Sequence, residues 1–105
     1  MDVENKIMEL IINGGDARGK ALQAINAANS SEFEKAEEFM KECAGLLQKA
    51  HNTQTELIQA ELNGNEKVTV SLLMVHAQDH LMNAITVKEL AEQIITLAKI
   101  VYKKN

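Results

Sequence analysis

The chain has 105 residues, a net charge of −4, five glycines and no proline. This length predicts one domain, residues 1–105, with a core that is thin if the chain stays monomeric. Acidic and basic residues are mixed along the chain without a basic block, and aromatic side chains are rare, which excludes the usual nucleic-acid binders. The abundance of Ala, Leu, Ile, Glu and Lys favours long helices.

The remaining global features predict a soluble, cytoplasmic protein. The single cysteine, Cys43, cannot form an internal disulfide and is expected to be an ordinary buried thiol. The N-terminal residues lack the basic segment and apolar run of a signal peptide. No apolar run approaches the roughly 20 residues that cross a bilayer.

The first predicted helix covers residues 2–29 and is followed by a turn at 29–31. Ser31 and Glu34 have the spacing of a capping box for the next helix. Gly14 and Gly15 interrupt the helix, which indicates either a close helix crossing or kink, or backbone approach to a functional site. The apolar face of this helix is Val3, Ile7, Ile11, Ala21, Leu22, Ile25 and Ala28.

The second and third predicted helices cover residues 32–62 and 66–103. Between them, Gly64 suits the left-handed residue that ends a helix. Short connections make neighbouring helices antiparallel, so the fold class is all-α, an up-down-up three-helix bundle. The expected packing residues are Ala36, Met40, Cys43, Leu47, Ala50 and Leu57 in the second helix, and Val68, Leu72, Val75, Ile94, Leu97, Ala98 and Val101 in the third.

The third helix is apolar on more than one side. One line contains Leu72, Val75 and Met82 together with Asp79, and the other contains Leu73, Ala77, Ala84, Val87 and Ala91 together with His80. A helix in a three-helix monomer needs only one buried face. The additional stripe therefore predicts a symmetric oligomer with Asp79 near the shared interface.

The segment SLLMVHAQDHLM, residues 71–82, places four polar side chains in this apolar helix: His76, Gln78, Asp79 and His80. Desolvated polar groups are costly unless each has a partner or a task. His76 and His80 are four residues apart and could bind a metal from one helical face. However, no glutamate follows the first histidine as in the zincins, and His51 is the only other histidine.

The second interpretation makes a histidine the carrier of a phosphoryl group. Neutral imidazole is a nucleophile near pH 7 and forms a reactive N–P bond. Gln78 and His80 could donate hydrogen bonds to the phosphoryl oxygens, whose position and charge must be controlled. Since the sequence has no phosphate-binding glycine loop, the donor would be another phosphoprotein.

The same segment resembles the active-site sequence of the IIA component of the bacterial sugar phosphotransferase system, lactose/cellobiose family, which includes chitobiose members. INGGDAR at residues 12–18 and AHNTQTELIQAE at residues 50–61 resemble two further segments of that family. Asn83 departs from the family pattern, where threonine is expected.

The resemblance implies a phosphotransferase component with His76 as the phosphohistidine. It would accept phosphate from HPr and pass it to a cognate IIB component, for uptake of a β-linked disaccharide (cellobiose, chitobiose or lactose) through a membrane IIC component. His80 and Gln78 would support the phosphoryl site, and Gln78 could serve the His76 of a neighbouring subunit. The resemblance also implies a homotrimer in which Asp79 holds magnesium or another divalent cation on the three-fold axis.

Two alternatives remain at this point: a helical oligomeric interaction module, and a His/Asp metal-binding bundle without phosphotransfer. His51 lies in a matching segment, but we interpret it as a packing or surface histidine.

Overall fold

The computed structural model describes residues 2–64 and 67–104, and all regular secondary structure in them is helical. The helices are α1 (Val3–Asn29), α2 (Phe33–Asn63) and α3 (Leu72–Lys104). They pack side by side into a bundle of 59 × 20 × 18 Å. The predicted all-α three-helix bundle is confirmed. None of the helices, over the residues described, has a stretch apolar and long enough to cross a bilayer.

The predicted capping box before α2 is wrong. Ser31 has a left-handed backbone, with φ of 61°, and belongs to the end of α1. Its N–H donates to the Ala28 carbonyl at 3.0 Å, and the Glu32 N–H donates to the Ala27 carbonyl at 2.9 Å. Glu32 is therefore the N-cap of α2, without a side-chain cap. The sharp turn between α1 and α2 uses Ser31 for its backbone conformation, so its hydroxyl does not cap the next helix.

The connection from α2 to α3 confirms one prediction and corrects another. Gly64 ends α2 in the expected left-handed conformation, with φ of 68°. The third helix begins at Leu72, whereas residue 66 was predicted, and residue 66 lies outside the described residues. The Ser71 hydroxyl accepts a hydrogen bond from the Met74 N–H at 3.1 Å and starts the helix. The β-branched run before it, residues 68–70, has low helix propensity.

The core consists mainly of small and medium apolar side chains. Its main cluster joins all three helices, and a smaller cluster packs around Ile95 and the alanines of the α1–α2 turn. Cys43 is fully buried as predicted, and this burial raises the pKa of its thiol. Six side chains predicted to pack are instead substantially exposed in the single chain: Leu22, Leu72, Val75, Ile94, Leu97 and Val101. The helices thus carry more apolar surface than one chain buries.

Candidate functional site

The site is built on His76 and His80, which lie one turn apart near the start of α3. Their Nε2 atoms are 3.1 Å apart, and their rings are perpendicular, with centroids 4.4 Å apart. His76 is exposed and His80 is half-buried. At this distance one nitrogen carries the proton and the other accepts it. The pair therefore fixes the two imidazoles relative to each other while leaving His76 accessible.

The donor set in one chain does not favour the metal interpretation. In the part of the chain that the structure describes, no three His, Cys, Asp or Glu side chains are grouped to hold a metal ion. Protein zinc sites use at least three protein ligands, and the histidine pair supplies two. His51 is exposed on α2.

Gly14 and Gly15 bring α1 against the backbone and ring of His80. A Cβ atom on Gly14 would lie 3.3 Å from both the His80 carbonyl carbon and the Leu81 nitrogen. A Cβ atom on Gly15 would lie 3.6 Å from His80 Nδ1. The helix continues through both glycines, as the predicted helix over residues 2–29 requires. The sequence offered a close helix crossing and an approach to a functional site as alternatives. Both are present at His80, where Gly14 lies against the backbone and Gly15 against the ring.

Gln78 lies on the other side of α3 from His76. Two residues of α-helix turn the chain by about 200°, so the two side chains leave the helix about 160° apart. Gln78 is half-buried, and its Oε1 accepts a hydrogen bond from Gln54 Nε2 at 2.7 Å. Support by Gln78 for a phosphoryl group on His76 therefore stays a prediction, and it requires a second copy of the chain.

Gln54 is the residue that sequence reasoning missed. It lies within the 50–61 segment that carries part of the family resemblance, and this was the available signal. Its contact with Gln78 joins residues 24 positions apart, which the periodicity of a single helix cannot indicate.

Asp79 is exposed on an apolar line that runs along most of α3. We call this line the outer stripe; its apolar members are Leu72, Val75, Met82, Leu90, Leu97 and Ile100, all exposed. The opposite line, the inner stripe, is buried against α1 and α2 and consists of Met74, Ala77, Leu81, Ala84, Ala91 and Ile95. His76 lies about 60° around the helix from Asp79, beside the outer stripe. The structure thus places Asp79 on the open apolar surface, as the sequence predicted.

The chain is similar to known proteins over nearly its whole length. Residues 5–99 match the family described as "PTS system, Lactose/Cellobiose specific IIA subunit". The lichenan-specific phosphotransferase enzyme IIA component of Bacillus subtilis is 51% identical over 96 residues, which cover 91% of this chain and 86% of that protein.

Two solved structures have the same fold. The cellobiose-specific enzyme IIA from Bacillus anthracis superimposes with a TM-score of 0.95 at 45% identity, covering 100% of this chain and 95% of the other. The IIA(chitobiose) protein of Escherichia coli, solved in complex with HPr, gives a TM-score of 0.83 at 36% identity, covering 97% and 98%. The chain therefore belongs to the lactose/cellobiose family of IIA components, the phosphotransfer proteins of the sugar phosphotransferase system.

Proposed function

We propose that this chain accepts a phosphoryl group on His76 from HPr and passes it to a cognate IIB component. The observation that carries the proposal is the exposed His76 ring, whose Nε2 lies 3.1 Å from Nε2 of His80. Both imidazoles belong to one continuous helix and already lie against each other before the donor arrives. Such preorganisation is the main contribution that a protein makes to phosphoryl transfer.

The transfer exchanges one bond to phosphorus for another. A neutral nitrogen of His76 attacks the phosphorus of phosphorylated HPr, and the bond between phosphorus and HPr breaks with its electron pair leaving on HPr. The second transfer is the same exchange from His76 to IIB. With the phosphoryl group on the nitrogen that faces His80, the ring N–H of His80 donates to a phosphoryl oxygen. His80 thus stabilises the charge, while His76 forms the bond.

Support for HPr as the donor comes from a relative. The E. coli IIA(chitobiose) protein was solved in complex with HPr, and its fold matches this chain over 97% of its residues. Since HPr and IIB would use the same histidine in turn, their footprints should overlap around His76. The interfaces should be modest in area, as in transient complexes. An NMR titration showing both partners bound to one subunit at once would contradict this.

The outer stripe supports a homotrimer. Its apolar side chains are open in the single chain; Leu97, for example, is 61% exposed. A stripe of this length on a helix is typical of a surface that packs against other copies. In a three-fold assembly three Asp79 carboxylates would approach one another, and a divalent cation such as magnesium would offset their repulsion. The same assembly would allow Gln78 to serve the His76 of a neighbouring subunit.

The substrate of the whole system is proposed as a class, namely a β-linked disaccharide. The chain resembles relatives named for lichenan, cellobiose and chitobiose, and a phosphocarrier of this kind does not contact the sugar. A membrane IIC component would be reached through IIB, and the cytoplasmic location stays a prediction.

Phosphoryl transfer from phosphoenolpyruvate tests the proposal. The chain is incubated with phosphoenolpyruvate, enzyme I and HPr, and the control omits HPr. We expect an HPr-dependent label on the chain that is labile in acid and stable in base, as a phosphohistidine is. An unlabelled chain would favour the helical interaction module instead.

A further inference from the structure

We propose that Gly15 is a positioning residue for phosphoryl transfer, because a side chain larger than alanine at this position would press on the His80 ring, which lies between α1 and His76. The inference rests on the proposed function only in taking His76 as the phosphoryl acceptor. It assigns to α1 a part in a site whose two histidines both belong to α3.

The contact is made at one edge of the His80 ring. A Cβ atom on Gly15 would lie 3.6 Å from Nδ1 and 3.9 Å from Cε1 of His80. The atom Nε2, on the other side of Cε1, lies 3.1 Å from His76 Nε2. The ring therefore lies between Gly15 and His76. An alanine Cβ at position 15 would make an ordinary van der Waals contact with this edge. We expect the two further carbons of a valine to press on the ring.

A larger side chain at position 15 should rotate the His80 ring, because the surrounding helices are too tightly packed to move apart. At Gly14 the two helices are already so close that a Cβ atom would lie 3.3 Å from the His80 carbonyl carbon. The α3 residues on both sides of this crossing, Ala77, Leu81 and Ala84, are fully buried. Moving α3 away from α1 would open this core, and cavities in a core are costly. Rotation of the half-exposed His80 ring is the smaller change, and it separates the two Nε2 atoms.

A purely structural glycine would behave differently. If Gly15 served only helix packing, larger residues would lower the unfolding temperature and leave the ring nitrogens of the folded protein unchanged. If Gly15 positions His80, the same substitutions change the His80 ring environment and act through that ring alone.

The experiment compares Gly15→Ala and Gly15→Val with Gly45→Ala and Gly45→Val. Gly45 is an exposed helical glycine with no atom within 4 Å of its would-be Cβ, so it controls for helix propensity. Three quantities are measured: the rate of transfer from phosphorylated HPr, the ¹⁵N shifts of the His76 and His80 rings at fixed pH, and the unfolding temperature.

We expect Gly15→Val to slow transfer about tenfold and Gly15→Ala about threefold at most, since a misplacement of about 1 Å can cost about 100-fold. The His80 ring shifts should change in Gly15→Val, and both Gly45 variants should transfer at the wild-type rate. Gly15→Val transferring within about twofold of wild type, or unchanged His80 ring shifts, would overturn the inference.

A double-mutant cycle with His80→Ala identifies the route of the effect. In the His80→Ala background, the Gly15 substitutions should have no further effect on the rate. Additive losses would show that Gly15 acts elsewhere. If Gly15→Val does not fold, the cycle and the ring shifts are measured on Gly15→Ser, whose side chain also extends beyond Cβ, and unchanged His80 ring shifts in that variant would overturn the inference. Wild-type protein that accepts no phosphate from HPr would refute the proposed function instead.

Discussion

The inner and outer stripes of α3 each contain six apolar residues, but their surroundings differ. The inner stripe is rich in alanine and fully buried at most positions, so α1 and α2 approach it closely. The outer stripe carries larger leucine, isoleucine, valine and methionine side chains, and these remain open in the single chain. All of the alanines in the two stripes thus face the helices of the same chain, whereas every apolar member of the outer stripe is large.

The two candidate site residues, His76 and Asp79, differ in where they lie relative to the stripes. His76 lies between the two stripes, so it is anchored by a packed helix and still accessible. Asp79 lies within the outer stripe, where a charge is tolerated in the monomer but would need compensation once other copies cover it. The inner stripe stabilises the fold, and the outer stripe is open to the proposed assembly.

The largest expected effect is the loss of phosphoryl transfer when a histidine outside both stripes is replaced. His76→Ala should abolish labelling, because it removes the acceptor, while helicity is retained because the side chain is exposed. His80→Ala should slow transfer by about 100-fold, as loss of one hydrogen-bond donor to a developing charge does elsewhere. Rates of transfer from phosphorylated HPr and circular dichroism measure both. A labelled His76→Ala protein would contradict the assignment.

The adjacent residues Leu81 and Met82 compare the stripes directly. Leu81 is 0% exposed and Met82 is 54% exposed. Leu81→Ala should lower the free energy of unfolding by about 3–5 kcal/mol at any protein concentration, because it leaves a core cavity. Met82→Ala should act mainly on self-association, so its effect should depend on protein concentration. Denaturant unfolding at two concentrations measures both, and similar behaviour of the two variants would contradict the distinction.

The helices, the two apolar lines of α3 and the histidine pair could all be predicted from the sequence. Helical spacing identified the three helices and the two apolar lines of α3, and the HAQDH segment identified the histidine pair. The start of α3 at Leu72 could not be predicted, because apolar periodicity continues back to Val68 while the Ser71 cap decides the boundary. The exposure of Ile94 and Leu97 was also missed, since a helical pattern shows which residues share a face but not whether that face is covered.

The contacts that orient the site were less predictable still. The approach of Gly15 to His80 and the hydrogen bond from Gln54 to Gln78 both join different helices. Their existence depends on the rotation and offset of packed helices, which a pattern within one helix does not contain.

Asp79→Leu makes the outer stripe apolar at its charged position. In the proposed trimer Asp79 would be buried, and replacing a buried ionic group with an apolar one is often neutral or stabilising by about 1–4 kcal/mol. We expect the proposed trimer to form with the same or greater stability, to show no dependence on divalent cations, and to accept phosphate on His76. Analytical ultracentrifugation with and without chelator measures the first two. A monomeric variant, or a trimer that cannot be phosphorylated, would show that Asp79 has another role.

The smallest effect concerns the orientation of Gln78. A glutamate at position 54 could only accept a hydrogen bond, so Gln54→Glu should turn the Gln78 amide and occupy its NH₂ group. If that group serves a phosphoryl group on another subunit, transfer should slow by about three- to tenfold, roughly 1 kcal/mol.

The matched control is Gln48→Glu on the same helix, where Gln48 donates to Asn52 at 2.9 Å on an exposed surface. It introduces the same charge away from Gln78, and the transfer rate should stay unchanged. Equal rates for the Gln54 and Gln48 variants would remove Gln78 from the phosphoryl site.

The most direct test of the account is the location of the phosphate on the wild-type chain. Protein phosphorylated through enzyme I and HPr is digested at alkaline pH, where the N–P bond survives, and the site is assigned by tandem mass spectrometry. We predict one phosphate per chain, on His76. Phosphate on His80 or on His51 would contradict the assignment of His76 as the acceptor beside the outer stripe.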